Sequence, residues 1–322
     1  MRASRQPSLA IAVAFVLVVG AVRAHAGAEA RGGLGHLYLK TGYAESDGDR
    51  GFDRDGHEVS LTSTVFLDRI TSALATNARY HDTSFGLYAQ LGLLDDLDLI
   101  VATEWKELEK HFVLDLFGAR IPIDQRSSGF SDVNAGLAYQ FLASPLPVAV
   151  RAIARVPTYS TSVRALRLTT IDSSDDEIAL GNGTTDLALG LAASSGPLVS
   201  WMFADVSAAY VLADLADRAF SDHLDWEAKL GTSRFGLGVA AFARGVESLH
   251  NGDAPDRITQ DLLFLDPATR VTVLNDQERL DVGAELWYAW EGLGIQLGYS
   301  ATVAGANTTR TDRFEVALFV QR

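Results

Sequence analysis

Apolar and polar residues alternate one for one in segment after segment of this chain. From Asp132 to Phe141 one face reads Val133, Ala135, Leu137, Tyr139, Phe141 and the other Asp132, Asn134, Gly136, Ala138, Gln140. Successive side chains of a strand point to opposite sides, so this pattern describes strands whose two faces meet different surroundings; a helix would repeat every three to four residues. The same alternation places Val148, Val150, Ala152, Ala154 and Val156 opposite Ala149, Arg151, Ile153 and Arg155. It returns in Asp281 to Trp290, Ile295 to Val303 and Phe314 to Gln321.

The connections between these segments fall into two kinds. Five are tight: Leu94 to Asp96, Ala143 to Pro147, Ser195 to Val199, Thr232 to Arg234 and Glu291 to Leu293. Six are longer and polar: Glu45 to Arg79, Leu108 to Gly129, Thr158 to Gly183, Ala213 to Asp222, Ser248 to Arg279 and Gly305 to Thr311. Short and long alternate, which predicts twelve strands from near His36 to near Gln321. An even count, short turns at one rim and long loops at the other describe an all-β, up-and-down transmembrane β-barrel of about 12 antiparallel strands. Glu58 to Leu67 also alternates weakly and is expected as a hairpin extension of the first long loop, outside the membrane. Phe141, Trp201 and Trp290 adjoin tight turns, while Tyr43, Trp105, Tyr210 and Trp226 lie toward the long loops, as two interfacial girdles require.

The N-terminus adds a compartment. Arg2 and Arg5 precede an uncharged run from Leu9 to Val22 that ends in Ala24-His25-Ala26, the three-part pattern of a secretory signal peptide. The expected division is 1–26 signal peptide and 27–322 outer-membrane β-barrel domain. The formal net charge is -14, and losing Arg2, Arg5 and Arg23 with the leader makes the remainder more acidic still. Such a chain repels phosphate backbones, which argues against nucleic acid as a partner. With no cysteine, disulfides, thiolate metal sites and thiol catalysis are all excluded.

Two strands that follow long loops open alike, Gly129-Phe-Ser-Asp132-Val-Asn-Ala-Gly136-Leu137 and Gly183-Thr-Thr-Asp186-Leu-Ala-Leu-Gly190-Leu191. Period two puts each Asp and second Gly inside and the Leu toward lipid. The Gly is expected to make room for a neighbour's long side chain or to permit a bend, and the Asp to need a cation, for which Arg151 and Arg155 are at hand. At this motif the chain resembles the outer-membrane β-barrel proteins associated with the meta-pathway of phenol degradation, distant relatives of the long-chain fatty-acid outer-membrane transporters. Further resembling stretches are Phe52 to Gly56, Leu87 to Leu99, Arg155 to Thr158 and Leu180 to Gly183. The resemblance implies an exported barrel passing small hydrophobic or aromatic compounds. Residues 27 to 35 are too few for the N-terminal plug of the fatty-acid transporters.

Enzymatic constellations are weak. The histidines after the leader are dispersed, and no H-E-x-x-H, G-x-S-x-G or phosphate-binding loop occurs. Asp47 to Gly56 has a superficial likeness to a calcium loop, but Gly51 and Phe52 stand where an EF-hand needs an acid or amide and then glycine. The expected protein is therefore not an enzyme, takes no cofactor or metal, and acts as a passive channel. Expected lumen-lining residues are Tyr88, Glu104, Asp132, Arg151, Arg155 and Asp186, followed by Asp205, Lys229, Phe242, Arg244, Glu285 and Trp287. Expected partners are outer-membrane lipid and lipopolysaccharide, the barrel-assembly machinery and a small hydrophobic solute. Two other readings stand beside this one: a filled barrel that only presents loops, and a barrel-embedded lipid hydrolase with His223 as its nearest candidate residue.

Overall fold

The computed structural model describes residues 34–53, 55–61, 75–116, 118–143, 146–159, 180, 183–195, 201–215, 220–252 and 276–322; the expected leader lies outside them. The described residues form strands only: β1 (Leu37–Phe52), β2 (Glu58–Ser60), β3 (Ala75–Leu94), β4 (Leu97–Leu116), β5 (Ala119–Leu142), β6 (Val148–Val156), β7 (Asp186–Ser194), β8 (Met202–Leu212), β9 (His223–Arg234), β10 (Leu237–Ser248), β11 (Glu278–Trp290), β12 (Leu293–Ala306) and β13 (Thr308–Gln321). From β3 onward each pairs antiparallel with the next, β3 also pairs with β1, and β13 returns to β1. That last ladder runs from Tyr38 opposite Gln321 to Phe52 opposite Thr308. Twelve strands thus close an up-and-down barrel. The thirteenth, β2, pairs only with Arg50 to Phe52 and so extends the first connection, as the weak alternation at Glu58 suggested.

Burial tells which face meets lipid. The outward face of the wall exposes Leu87, Leu137, Leu189, Leu191, Leu286 and Leu318, each with 43–55% of its surface open. The lumen face hides Asp98, Asp186 and Asp281 at 1–3%. A water-soluble sandwich does the reverse and packs a second sheet on its apolar face. Here the sheet closes on itself, leaving the apolar band for hydrocarbon. Phe141, Trp201 and Trp290 stand exposed at the short-turn rim; toward the other, Tyr43 and Tyr210 stand exposed as expected and Phe130 joins them, while the expected Trp105 and Trp226 are half-buried.

Several connections differ from expectation. Leu108 to Gly129 is no loop: β4 and β5 stay paired as far as Leu116 opposite Ala119. Their alternation continues past the membrane, with Leu108 and Phe112 buried on one side. Gly305 to Thr311 shrinks to a turn at Asn307, whose φ is 50°. Glu45 to Arg79 is shortened at both ends by β1 and β3, so Asp47 to Phe52 is strand rather than calcium loop. The turn placed at Thr232 to Arg234 falls two residues later, at Phe235 and Gly236 with φ of 53° and 83°. Glu291 and Gly292 repeat that geometry at 49° and 83°, the left-handed pair that a two-residue hairpin needs to match strand twist.

Two expectations follow. Leu189→Arg, on the lipid face, should cost about 2–4 kcal/mol in urea unfolding from lipid bilayers, whereas Ser128→Arg in the hairpin extension should stay within about 0.5 kcal/mol. At the rim, Glu58 is held by Arg50 (2.6 Å) and Arg310 (2.7 Å), and the Arg50 hydrogen bond keeps its carboxyl below the usual range. This clip contributes above the ordinary carboxylate pKa and is lost as pH falls through the depressed value. Hydrogen exchange at Val59, corrected for its intrinsic pH dependence, should accelerate there, and Glu58→Gln should abolish that step.

Candidate functional site

The lumen is the site that this fold builds, and its chemistry begins with the polar face of the alternation. Lys40 on β1 meets Glu315 on β13 at 2.8 Å, and Lys229 on β9 reaches Glu285 on β11 at 2.9 Å. The Gln296 amide donates to the other Glu285 oxygen at 2.7 Å. Asp281 gathers Arg244 (3.0 Å), Arg279 (2.7 Å) and the Thr302 hydroxyl (2.8 Å). Such side chains need partners, because burying a charge without one costs several kcal/mol. These pairs lie within a strand, join adjacent strands or, for Lys229 and Glu285, step over one strand. The side chains of these pairs therefore run along the wall rather than across the bore.

The repeated G-x-x-D motif explains itself in the same terms. Arg155 on β6 sits between the two copies, 3.3 Å from Asp186 on β7 and 4.0 Å from Asp132 on β5. Asp186 also accepts the Asp214 backbone N–H at 3.0 Å. A register shift opposite Glu104 sets Ser131 and Asp132 against one residue of β4, a bulge that turns Phe130 outward while Asp132 faces the lumen. Thr158 donates to the Ser131 carbonyl at 2.6 Å, satisfying backbone that the bulge would leave open. The second glycines do not make room for a long side chain, one of the two roles expected: a Cβ at Gly136 would meet the backbone of Ala152 and Ile153, and one at Gly190 would meet Ala208 and Ala209. Close approach of the neighbouring strand is what requires them.

Three cavities of about 440, 400 and 540 Å³ occupy the lumen. They run together: the first shares Arg151, Ser207, Glu227 and Arg244 with the second, and Lys40, Tyr88, Arg313 and Glu315 with the third. Of the residues expected to line the lumen, Tyr88, Arg151, Asp205, Lys229 and Phe242 border the first cavity, as do Arg244, Glu285 and Trp287. Glu104, Asp132 and Arg155 border the third. Asp186 borders none of these three; it is buried and bonded to Arg155. Tyr88 donates to Gln90 at 3.0 Å, and Ser194 donates to Asp205 at 2.5 Å.

Sequence reasoning missed the knot at the long-loop rim. The buried Asp222 carboxylate accepts Tyr210 Oη–H (2.7 Å), the Ala213 N–H (3.0 Å) and the Asn251 amide (3.0 Å), tying the β8–β9 connection to the residues after β10. Nothing in local spacing announces a contact between residues so far apart. His223, the hydrolase candidate, pairs with Asp225 at 3.4 Å. In the supposed calcium loop, Asp53 spends its carboxylate on the N–H groups of Asp55 and His57, an Asx turn. Among the described residues Glu45, Asp47 and His81 bring ligand-type atoms within 4.8 Å on the outer surface, with His81 Nδ1 hydrogen-bonded to Asp47 at 2.8 Å.

A closed antiparallel barrel with an apolar exterior and a paired-charge lumen defines a transmembrane β-barrel of the up-and-down class. The crystal structure of an outer membrane channel from Pseudomonas putida F1 has this fold: it is 14% identical, with a TM-score of 0.57 over 93% of this chain and 100% of that one. A FadL homologue from Pseudomonas aeruginosa is 9% identical at a TM-score of 0.39, covering 88% of this chain and 90% of its own. No protein-family model and no curated protein matches the sequence.

Asp281 is the test of the network. Replacing it with alanine strands two guanidiniums and should cost about 3 kcal/mol in unfolding experiments. Alanine at the exposed Asp312 should be near neutral by the same measurement.

Proposed function

We propose that this chain is a passive channel of the bacterial outer membrane for small hydrophobic or aromatic compounds, rather than a catalyst or a filled barrel. One observation carries the reading: ion pairs such as Lys40–Glu315, Arg155–Asp186 and Arg244–Asp281 are made along the wall, between near neighbours, and three joined cavities lie in the lumen beside them. A filled barrel would spend its arginines across the bore. Aromatic rings interspersed with these charges, Tyr38, Tyr88, Phe242, Trp287 and Phe319, border the first cavity and give an amphipathic solute both apolar and polar contacts. The Pseudomonas putida neighbour, itself an outer membrane channel, accords with this reading. The proposal includes outer-membrane lipid and lipopolysaccharide around the apolar band, delivery by the barrel-assembly machinery after removal of the leader, and the twelve residues predicted from sequence as lining or wall-positioning groups. No cofactor enters it.

Purified protein in planar bilayers should give discrete conductance steps. Lys229→Glu, which reverses a charge beside Glu285, should shift the reversal potential under a salt gradient toward cation selectivity. Silence of the wild-type protein at all voltages would favour the filled barrel.

A further inference from the structure

Near the short-turn rim the polar lumen wall is interrupted by aromatic rings that are almost fully buried although they belong to the lumen face. Phe203, Trp287 and Phe319 expose only 7–8% of their surface and pack in one cluster with Ala240, Tyr38 and Ala289. Phe203 and Trp287 lie 5.8 Å apart between centroids, Tyr38 and Phe319 6.1 Å, and Tyr38 and Tyr88 5.9 Å. Each large ring faces a glycine across its strand pair: Phe203 opposite Gly231, Trp287 opposite Gly238, Phe319 opposite Gly294 and, farther in, Phe242 opposite Gly283. In all four pairs the far edge of the ring fills the volume that a Cβ on the glycine would occupy.

The rings therefore lean sideways onto the neighbouring strand instead of reaching across the bore. A ring laid over a cross-strand glycine loses its own water and covers bare backbone, the arrangement known to rescue glycine in sheets. Phe242, Trp287 and Phe319 still border the first cavity, beside Lys40, Lys229 and Glu285, while Phe203 packs behind them against Trp287.

Resting on the channel reading above, we infer that the aromatic–glycine pairs of Phe242, Trp287 and Phe319, backed by Phe203, form an apolar stripe along the lumen wall toward the short-turn rim, on which a permeating solute's ring stacks while its polar group follows the charged wall. The glycines hold the stripe flat, so they set the width of the path. The rings decide which solutes dwell in it.

A charge-matched pair of permanently ionised probes tests this, because neither crosses lipid unaided. Benzenesulfonate should interrupt single-channel current at a concentration about two- to tenfold lower than methanesulfonate does, the range that one or two aromatic contacts supply. In Trp287→Leu/Phe319→Leu, which keeps apolar bulk and so keeps the barrel folded, that difference should fall to less than about twofold. Gly294→Val should drive the Phe319 ring into the bore and lower conductance, and adding Phe319→Ala to that variant should restore it. Equal blockade by both probes in the conducting wild type, blockade unchanged by the leucine pair, or no loss of conductance in a folded Gly294→Val protein would each overturn the stripe. A wild type that never conducts would instead overturn the channel reading.

Discussion

Backbone N–H and C=O groups in hydrocarbon have no water to bond, and each one left unpaired costs several kcal/mol. A sheet satisfies them everywhere except at its two edges, so the ladder between β1 and β13 is the contact on which everything else rests. An antiparallel closing ladder in an up-and-down order demands an even number of membrane strands, and β2, with only three pairs, stands outside that count. It also dictates the side-chain arrangement. Once the sheet is a tube, period two sends one residue set to lipid and the other to the lumen without exception, apart from bulges.

The lumen then inherits a problem that a soluble core does not have. Its residues are polar because the outer face must be apolar, yet many are deeply buried, as Asp98, Asp186 and Asp281 are. Ion pairs between near neighbours answer this by matching charges already brought close by strand register. Arg155 between Asp132 and Asp186 and Asp281 between Arg244 and Arg279 are two forms of one solution, three charges gathered in one patch of wall. Removing the cation in the first leaves the buried Asp186 unmatched, and removing the acid in the second leaves two half-buried guanidiniums without their shared partner.

Much of this was legible in the sequence because alternation is a local signal. Strand faces, the count of twelve, the girdle aromatics and the pairing of Arg155 with the two motif aspartates all followed from residues within a strand or on adjacent ones. What escaped was of two kinds. Polar stretches such as Glu107 to Arg126 looked like loop because their outward face is charged, but beyond the membrane a paired strand faces water and has no need of an apolar exterior. The long-range partners, Asp222 with Asn251 and each ring with its glycine, depend on register and on which loops fold back, and one-residue bulges such as that at Asp132 shift register by an amount that composition does not record.

The glycine partners also show how a narrow barrel keeps space inside. Twelve strands enclose little room, and each inward side chain takes part of it, so four of the large rings sit where a neighbour gives up volume. Register provides this without distorting the sheet, since Phe242 with Gly283 and Trp287 with Gly238 lie on one strand pair with their large and small members exchanged. The exchange keeps the two strands equally filled and sets Phe242 and Trp287 at different levels along the axis. Glu285 has the small Ala240 of β10 as its direct partner, and Lys229, opposite Phe242, reaches it diagonally across that strand. Small residues in this lumen are thus the complement of the large ones, and the bore is the volume that both arrangements leave unused.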